Sequence, residues 1–275
     1  MRVLVTGGGG LLGGQLLRGA PGGLELSATV RGRPLPEGVD ARAFAVELSD
    51  PDATARVIAE ARPDVVVHTA YGTADLDRDI LRATSVVAGA AAAAGARLLH
   101  VSSDVVFDGE HAPYDEDDAP APVHAYGRAK ARAEQIVRER CPDAAIVRTS
   151  LIVRLDPPDP VTAWLIDGLR HQQPVTLYDD EWRCPILVED LAAMIWEIVG
   201  LPTAHWQGIW HLLGPEALTR AQLGRRLVRR LGLDESKLVE VPSPPPASAE
   251  EGRPRDLRLS AGRANAHLLH RPSRI

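Results

Sequence analysis

The sequence predicts an α/β fold with a doubly wound parallel sheet and a small irregular α+β lobe at its C-terminal end. The main observation is that short β-branched runs alternate with helical segments through the first half of the chain. This alternation is typical of βαβ units, whose parallel sheet is covered by helices on both faces. Beyond about residue 150 the alternation becomes less regular and proline is more frequent, which predicts the separate lobe.

The order of the elements follows from local signals. Asp50 and Pro51 have the residue types of a cap and first helical position, and Gly95 ends an alanine-rich helix. Thr219 is placed to cap a helix in the second half. The predicted strands cover residues 2–6, 24–30, 41–46, 65–68, 97–102 and 144–148. The predicted helices cover residues 51–62, a segment up to 94, and 125–140, and further helices begin near 160, 191 and 219.

Composition excludes several classes of protein. The net charge of −6 argues against a nucleic-acid partner. Hydrophobic content of 45% and charged content of 25% are those of a globular protein with a large core. Two cysteines give no disulfide framework, no signal peptide is recognisable, and no apolar stretch is long enough for a bilayer. We therefore expect a cytoplasmic location, no membrane contact and no metal site.

A glycine ladder follows the first predicted strand directly. Gly7, Gly10 and Gly13 recur at every third position between that strand and the apolar pair Leu16 and Leu17. Glycines there allow a tight turn and close approach of a pyrophosphate to a helix N-terminus. A flexible linker or structural turn is the alternative. The position favours a Rossmann-type dinucleotide-binding domain over residues 1–150, followed by an interleaved substrate lobe over 151–275.

Tyr126 and Lys130 are four residues apart, so that on a helix they share one face. Lysine is rare in this chain, since only Lys130 and Lys237 are found among 31 basic residues. A nearby ammonium favours a phenolate, and the pair predicts a lowered pKa for Tyr126 and a role in proton transfer. An incidental surface pair is the alternative interpretation.

Ligands of doubly wound folds bind beyond the carboxyl ends of the strands. Residues 68–72 and 102–109 occupy such ends, and Tyr126 and Lys130 lie on the next helix. A strand-end serine, a Tyr–Lys pair and a dinucleotide loop together satisfy the needs of carbonyl reduction. Ser103 would bond the carbonyl oxygen and Tyr126 would protonate it, although simple strand-end capping also explains Ser103.

Several motifs resemble the extended short-chain dehydrogenase/reductases, and in particular their dTDP-4-dehydrorhamnose reductase-like branch. The resemblance extends over nearly the whole chain. The matching segments are 62–70 (RPDVVVHTA), 101–109 (VSSDVVFDG), 113–118 (PYDEDD), Pro122, 126–130 (YGRAK), 147–150 (VRTS), 253–254 (RP) and 257–260 (LRLS). It implies NAD(P)-dependent reduction of a keto group on a nucleotide sugar.

The resemblance also implies two sets of binding residues. In the lobe, Trp182 or Trp164 could stack on a base, and Arg183 or Arg253 could hold a diphosphate. Ordinary packing is the alternative for each of them. The implied cofactor contacts are Gly7, Gly10, Leu11, Leu12, Gly13, Arg31, Leu48, Thr69, Ala70, Tyr71 and Lys130. The implied substrate contacts are Ser103, Asp104, Val105, Ser150, Leu151, Trp182, Arg183 and Arg253.

The chain departs from the family pattern at positions expected to touch the sugar. Val105 and Leu151 replace aromatic residues, which puts the rhamnose precursor itself in doubt. No asparagine is present on the fourth helix, since Asn265 is the only one in the chain. A backbone carbonyl or a water would then relay protons, or turnover would be poor.

The end of the second strand predicts the cofactor. Residues 29–33 (TVRGR) contain no acid for the ribose hydroxyls of NAD, and Arg31 or Arg33 could pair with a 2′-phosphate. We therefore expect NADP over NAD, although a solvated loop arginine is the alternative for Arg31.

Two other functions stay open at this point. A non-catalytic NADP-binding regulatory subunit would bind the cofactor without turnover. An epimerase or dehydratase of the same fold is less favoured, since a dehydratase would carry an Asp–Glu pair where Asp104 is followed by Val105. The sequence leaves the oligomeric state undecided, with a homodimer among the alternatives.

Overall fold

The computed structural model describes residues 1–246 and 252–275. Its centre is a seven-stranded sheet, in the spatial order β11-β6-β5-β4-β1-β2-β3, in which every neighbouring pair is parallel. The strands are β1 (Arg2–Thr6), β2 (Glu25–Val30), β3 (Arg42–Ala45), β4 (Val65–His68), β5 (Arg97–Val101), β6 (Ala145–Thr149), β7 (Ile152–Val153), β8 (Val175–Tyr178), β9 (Trp182–Arg183), β10 (Ile186–Leu187), β11 (Gly208–Leu212), β12 (Leu218–Thr219) and β13 (Leu238–Val241).

Helices cover both faces of the sheet, which confirms the predicted fold class. A π-helical turn (Asp77–Arg82) leads into α3, and a 3₁₀ turn (Asp104–Val106) follows β5. The helices are α1 (Leu11–Arg18), α2 (Pro51–Ala61), α3 (Ala83–Ala93), α4 (Ala125–Arg140), α5 (Pro160–Arg170), α6 (Val188–Gly200), α7 (Thr203–Trp206), α8 (Arg220–Arg230) and α9 (Gly262–His267).

Alternate strand residues divide the core into two layers, as the two-residue period of a strand requires. Val3 and Val5 face α1 and α6, whereas Leu4 faces α2 and α3. The indole nitrogen of Trp196 donates to the carbonyl oxygen of Leu16 over 3.0 Å, which joins α6 to α1. Because the strands are all parallel, the glycine loop after β1 and the segments after β4, β5 and β6 lie together beyond the carboxyl ends of the strands.

The second half of the chain contributes to both parts of the structure. Strand β11 completes the central sheet beside β6, and α6 covers one of its faces. The lobe is built from α5, α8, the parallel pair β8–β13 and the antiparallel pair β9–β12 around its own apolar cluster. Helix α6 begins at Val188, three residues before the predicted start. Across the described residues, no helix combines the length and apolarity needed to span a bilayer.

Candidate active site

The glycine loop forms a tight connection between β1 and α1. Gly7 has a φ of +72°, and a Cβ there would lie 3.0 Å from Cα of Ala70. A Cβ on Gly13 would lie 2.3 Å from the carbonyl oxygen of Gly7. Both positions therefore require glycine, one for its backbone conformation and one for the close approach of helix to loop.

Helix α1 presents a suitable end for an anion. Gly10 occupies its N-cap and supplies no side-chain cap, so the N–H groups of the first turn have no partner within the helix. Backbone donors and the positive end of the helix dipole fit a pyrophosphate. Leu12 is buried in the core, which leaves its backbone N–H as the group that can contribute.

The segment after β4 lies against the glycine loop. Thr6 accepts hydrogen bonds at Oγ1 from the backbone N–H groups of Thr69 and Ala70, at 3.1 and 3.2 Å. Thr69 returns a bond from its own hydroxyl to the carbonyl oxygen of Thr6 over 2.6 Å. Tyr71 is 61% exposed, and its ring centroid lies 6.2 Å from that of Tyr126. Thr69, Ala70 and Tyr71 thus surround the space between the loop and the tyrosine.

Arg31, at the end of β2, is held by two carboxylates. Its guanidinium donates to Asp79 over 2.7 Å and to Glu47 over 3.0 Å. Asp79 is buried and also accepts from Arg78 over 2.8 Å. Hydrogen bonds from Arg78 and then Arg31 hold the pKa of Asp79 well below its usual value. Arg33 makes no ion pair within residues 1–246 and 252–275.

Leu48, an implied cofactor contact, has a buried side chain. It packs in the core layer beneath α2 and α3, and its carbonyl oxygen accepts from the hydroxyl of Thr54 over 3.2 Å. Its side chain therefore stabilises the loop after β3.

Ser103 caps the 3₁₀ turn that follows β5. Its hydroxyl donates to Asp104 over 3.1 Å, and the same carboxylate accepts from Ser150 over 2.6 Å. Ser150 in turn accepts from the backbone N–H of Cys184 over 3.1 Å. The buried Asp104 therefore ties the ends of β5 and β6 to the substrate lobe and orients Ser103.

Tyr126 and Lys130 lie on α4, four residues apart as predicted. Lys130 is buried and donates from Nζ to the carbonyl oxygen of Val101 over 2.7 Å. An ammonium carries three donors, so two remain for a ligand, because no other acceptor bonds it in the described chain. Burial lowers the pKa of Lys130 to about 8, while the Glu134 carboxylate opposes this shift.

The expected lowering of the Tyr126 pKa is wrong for the protein without ligands. Burial raises the pKa of Tyr126 above its usual value, and the neighbouring Tyr71 and Asp104 add to the shift. The reason is that desolvation of the phenolate is larger than any effect of the cation on the same face of α4. Tyr126 is therefore a protonated phenol at neutral pH and is in the correct state to donate a proton.

A buried ion pair holds α4 against the sheet. Glu134, with 0% exposure, accepts from Arg148 of β6 over 2.9 Å and from the hydroxyl of Ser102 over 2.6 Å. Because Glu134 lies one turn beyond Lys130, this network fixes the rotation of the helix that carries the Tyr–Lys pair.

A cavity of about 440 Å³ opens between the sheet edge and the lobe, a size typical of small-molecule sites. Ser103 and Tyr126 line it. It is also lined by three arginines that surround one buried carboxylate, Glu181. Its partners are Arg253 at 2.9 Å, Arg220 at 3.4 Å and Arg183 at 3.9 Å.

Most implied substrate contacts meet in this cavity. Asp104, Val105, Ser150, Leu151, Arg183 and Arg253 line it together with Ser103. The two tryptophans do not. Trp182 packs under the guanidinium of Arg258, and Trp164 is 52% exposed on α5, so neither lies among the residues that line the cavity.

Five residues that line the cavity were not among the predicted contacts, namely His124, Glu181, Arg220, Gly252 and Pro254. His124 lies two residues before Tyr126 and directly before the predicted helix, so its position in the sequence could have indicated that it belongs to the site. Glu181 and Arg220 carried no local signal, since the lobe alone brings them together.

This fold and site define a Rossmann-type protein with a Ser–Tyr–Lys arrangement beneath a small α+β lobe. More specifically, the chain belongs to the family described as the RmlD substrate binding domain, whose model matches residues 1–274. This confirms the resemblance to the dTDP-4-dehydrorhamnose reductase-like branch.

Two kinds of relative match by sequence. A dTDP-4-keto-6-deoxy-D-glucose reductase of Streptomyces niveus is 31% identical over 88% of this chain and 83% of its own length. Methionine adenosyltransferase 2 subunit beta of Danio rerio is 29% identical over 82% of this chain and 69% of its own. The Pongo abelii counterpart of the latter is matched over 61% of its length, less than two thirds.

Solved structures agree with the fold. The dTDP-4-dehydrorhamnose reductase of Bacillus anthracis, in complex with NADP, has a TM-score of 0.81 at 23% identity, covering 98% of this chain and 95% of that one. The enzyme WbmG of Bordetella bronchiseptica, in complex with NAD, has a TM-score of 0.83 at 20% identity, covering 100% of this chain and 90% of that one.

Proposed function

We propose that the protein is an NADP-dependent reductase of a keto group on a nucleotide sugar. The observation that carries this proposal is the cavity that Ser103 and Tyr126 line together with the arginine cluster. The named activity of the Streptomyces niveus relative supports it. Bound NADPH would supply the hydride.

The catalytic end has the donors that carbonyl reduction requires. Ser103 would turn its single hydroxyl proton from Asp104, which accepts it in the protein without ligands, to the carbonyl oxygen. Tyr126, protonated at neutral pH, then gives that oxygen its proton. The two unused donors of Lys130 fit the hydroxyls of a ribose, and the first turn of α1 fits the pyrophosphate of the dinucleotide.

The arginine cluster around Glu181 favours a nucleotide over a simple sugar. Three guanidiniums surround a single carboxylate, so the cluster carries excess positive charge. Arginine binds phosphate oxygens in a bidentate manner. Arg220 and Arg253 are partly exposed and are the members best placed to bind a diphosphate, while Arg183 is held by backbone carbonyls.

The NADP preference rests on the end of β2, where no carboxylate follows directly. Arg33, which is free of ion pairs within the described residues, would bind the 2′-phosphate. Arg31 would join it only by exchanging Asp79 or Glu47 for the phosphate.

A panel of nucleotide 4-keto sugars with NADPH tests the proposal, with cofactor oxidation followed by absorbance. We expect turnover of at least one member and weaker use of NADH. A protein that binds NADPH but turns over no member would contradict the enzyme assignment.

A second candidate is a non-catalytic NADP-binding regulatory subunit. The matches to methionine adenosyltransferase 2 subunit beta favour it, as do Val105 and Leu151 in place of sugar-contacting aromatics. Co-elution with a methionine adenosyltransferase, together with cofactor binding and no turnover, would support this candidate. An enzyme that turns over a keto sugar without any partner would contradict it.

A further inference from the structure

His124 occupies the N-cap of α4, the helix that carries Tyr126 and Lys130. Its Nδ1 accepts a hydrogen bond from the backbone N–H of Gly127 over 2.8 Å. An accepting nitrogen bears no proton, so the neutral ring must carry its proton on Nε2. The helix cap therefore fixes the tautomer of this imidazole.

The Nε2 edge of the ring is turned away from the helix. A Cβ placed on Gly127 would lie 3.2 Å from Cε1 of His124, so the Nδ1–Cε1 edge faces the helix. His124 itself lines the cavity, and its ring stacks near that of Tyr126 with 6.3 Å between centroids. Nε2 makes no hydrogen bond within residues 1–246 and 252–275.

We propose that His124 is a specificity-determining residue that caps the catalytic helix through Nδ1 and donates a hydrogen bond from Nε2 to an oxygen of the bound sugar beside Tyr126. The second half of this inference rests on the proposed reductase activity. The first half concerns the fold alone. Because one ring serves both purposes, protonation of Nδ1 would remove the cap.

The surroundings keep the imidazole neutral. Burial lowers the pKa of His124 below its usual value, and the guanidiniums of Arg128 and Arg183 lower it further. The carboxylate of Asp104 opposes these effects. Since the unfolded chain binds the proton more readily, the stability contributed by His124 is full above pH 6.5 and is lost as the pH falls below that value.

Two variants separate the helix-capping role of His124 from its proposed role as a hydrogen-bond donor to the sugar. Serine is a strong N-cap but is too short to donate into the cavity, so His124→Ser keeps the first role only. His124→Ala removes both, and His171→Ser, on an exposed histidine at the end of α5, is the matched control. We expect His124→Ser to retain NADPH binding and Tm at pH 7.5 while kcat/KM falls about 10-fold, the worth of a hydrogen bond. His124→Ala should also lose Tm.

The pH dependence of Tm tests the helix-capping role of His124 and requires no substrate. As the pH is lowered from 7.5 to 5.5, the wild-type protein should lose Tm relative to His124→Ser, while His171→Ser follows the wild type. If the difference in Tm between the wild type and His124→Ser stayed constant over this pH range, the proposal that a neutral His124 caps the helix through Nδ1 would be overturned. If the wild type reduces a keto sugar and His124→Ser keeps its full kcat/KM, the donor role is overturned. If the wild type reduces none, the proposed function fails and the Tm comparison still decides the cap.

Discussion

Lys130 donates from Nζ to the carbonyl oxygen of Val101 over 2.7 Å, which joins the helix of the Tyr–Lys pair to the strand that leads into Ser103. The bond explains why position 130 carries one of only two lysines in an arginine-rich chain. A compact ammonium fits in a buried space beside a strand carbonyl, whereas a guanidinium is larger and planar.

Lys130→Met should weaken NADPH binding by at least about 10-fold, because it removes the two charge-assisted bonds that we propose Lys130 makes to the ribose. The protein without cofactor should be no less stable at pH 7.5, since burial of the ammonium opposes folding. The folded pKa of about 8 lies below the ordinary 10.5, so wild-type stability should rise from pH 8 to 10.5 relative to the variant. Urea denaturation across this range measures the difference.

Lys130→Arg is the matched control for charge. It should impair both cofactor binding and turnover, because the larger head group cannot occupy the same space. Binding of NADPH at the wild-type level by either variant would remove Lys130 from the cofactor site.

Tyr126→Phe should leave NADPH binding nearly unchanged and reduce kcat by on the order of 10²–10⁴-fold, the usual contribution of a general acid. The phenol is already protonated at neutral pH, so the wild-type rate should not fall on mild acidification through Tyr126 itself. Steady-state kinetics on the active keto sugar measures the loss. Tyr71→Phe, on the neighbouring exposed ring, is the control and should retain most activity. Full activity in Tyr126→Phe would exclude it as the proton donor.

Asp79→Asn should increase the preference for NADPH over NADH. The change removes the carboxylate that holds Arg78 and one of the two that hold Arg31, so that only Glu47 still competes with a 2′-phosphate for Arg31. We expect a shift of about 10-fold in the ratio of dissociation constants. Glu60→Gln, which breaks the exposed pair with Arg42, should leave the ratio unchanged. An unaltered ratio of dissociation constants in Asp79→Asn would show that Arg31 does not discriminate between NADPH and NADH.

Local pattern was sufficient for much of the fold. Helix α4 begins and ends at the predicted residues, and β4 matches in full, because both combine strong periodicity with clear boundaries. Strand β11 was missed since its five residues follow a stretch without regular alternation. It is stabilised as a strand by pairing with β6, which is a tertiary contact and not a property of its own sequence.

The same distinction between local pattern and tertiary contacts applies to the residues of the candidate site. Ser103, Tyr126 and Lys130 were predictable because they lie on or beside elements that the sequence defines. Arg183 and Arg253 were predicted as separate candidates, but their meeting with Arg220 around Glu181 was not, since these residues come from β9, α8 and a loop near the C-terminus that meet only in the folded lobe. The pKa of Tyr126 depends on its burial, and no spacing along the chain reports burial.

Acid should destabilise the protein steeply because three buried histidines are neutral in the folded state. Burial lowers the pKa of His68 to about 3 and of His211 to about 4, and holds that of His100 well below 6.5. The unfolded chain binds a proton at each of them below pH 6.5, so stability is full above that value and falls between 6.5 and about 4. Each histidine contributes about 1.4 kcal/mol per pH unit.

His100→Leu tests this account. Neither ring nitrogen of His100 has a partner among the described residues, so its replacement by an apolar side chain should cost little at pH 7.5. The slope of unfolding free energy against pH should fall by about 1.4 kcal/mol per unit below pH 6. Denaturant titrations at several pH values measure both quantities. An unchanged slope would mean that His100 is already protonated in the folded protein, with its charge stabilised by a group that the buried site must then contain.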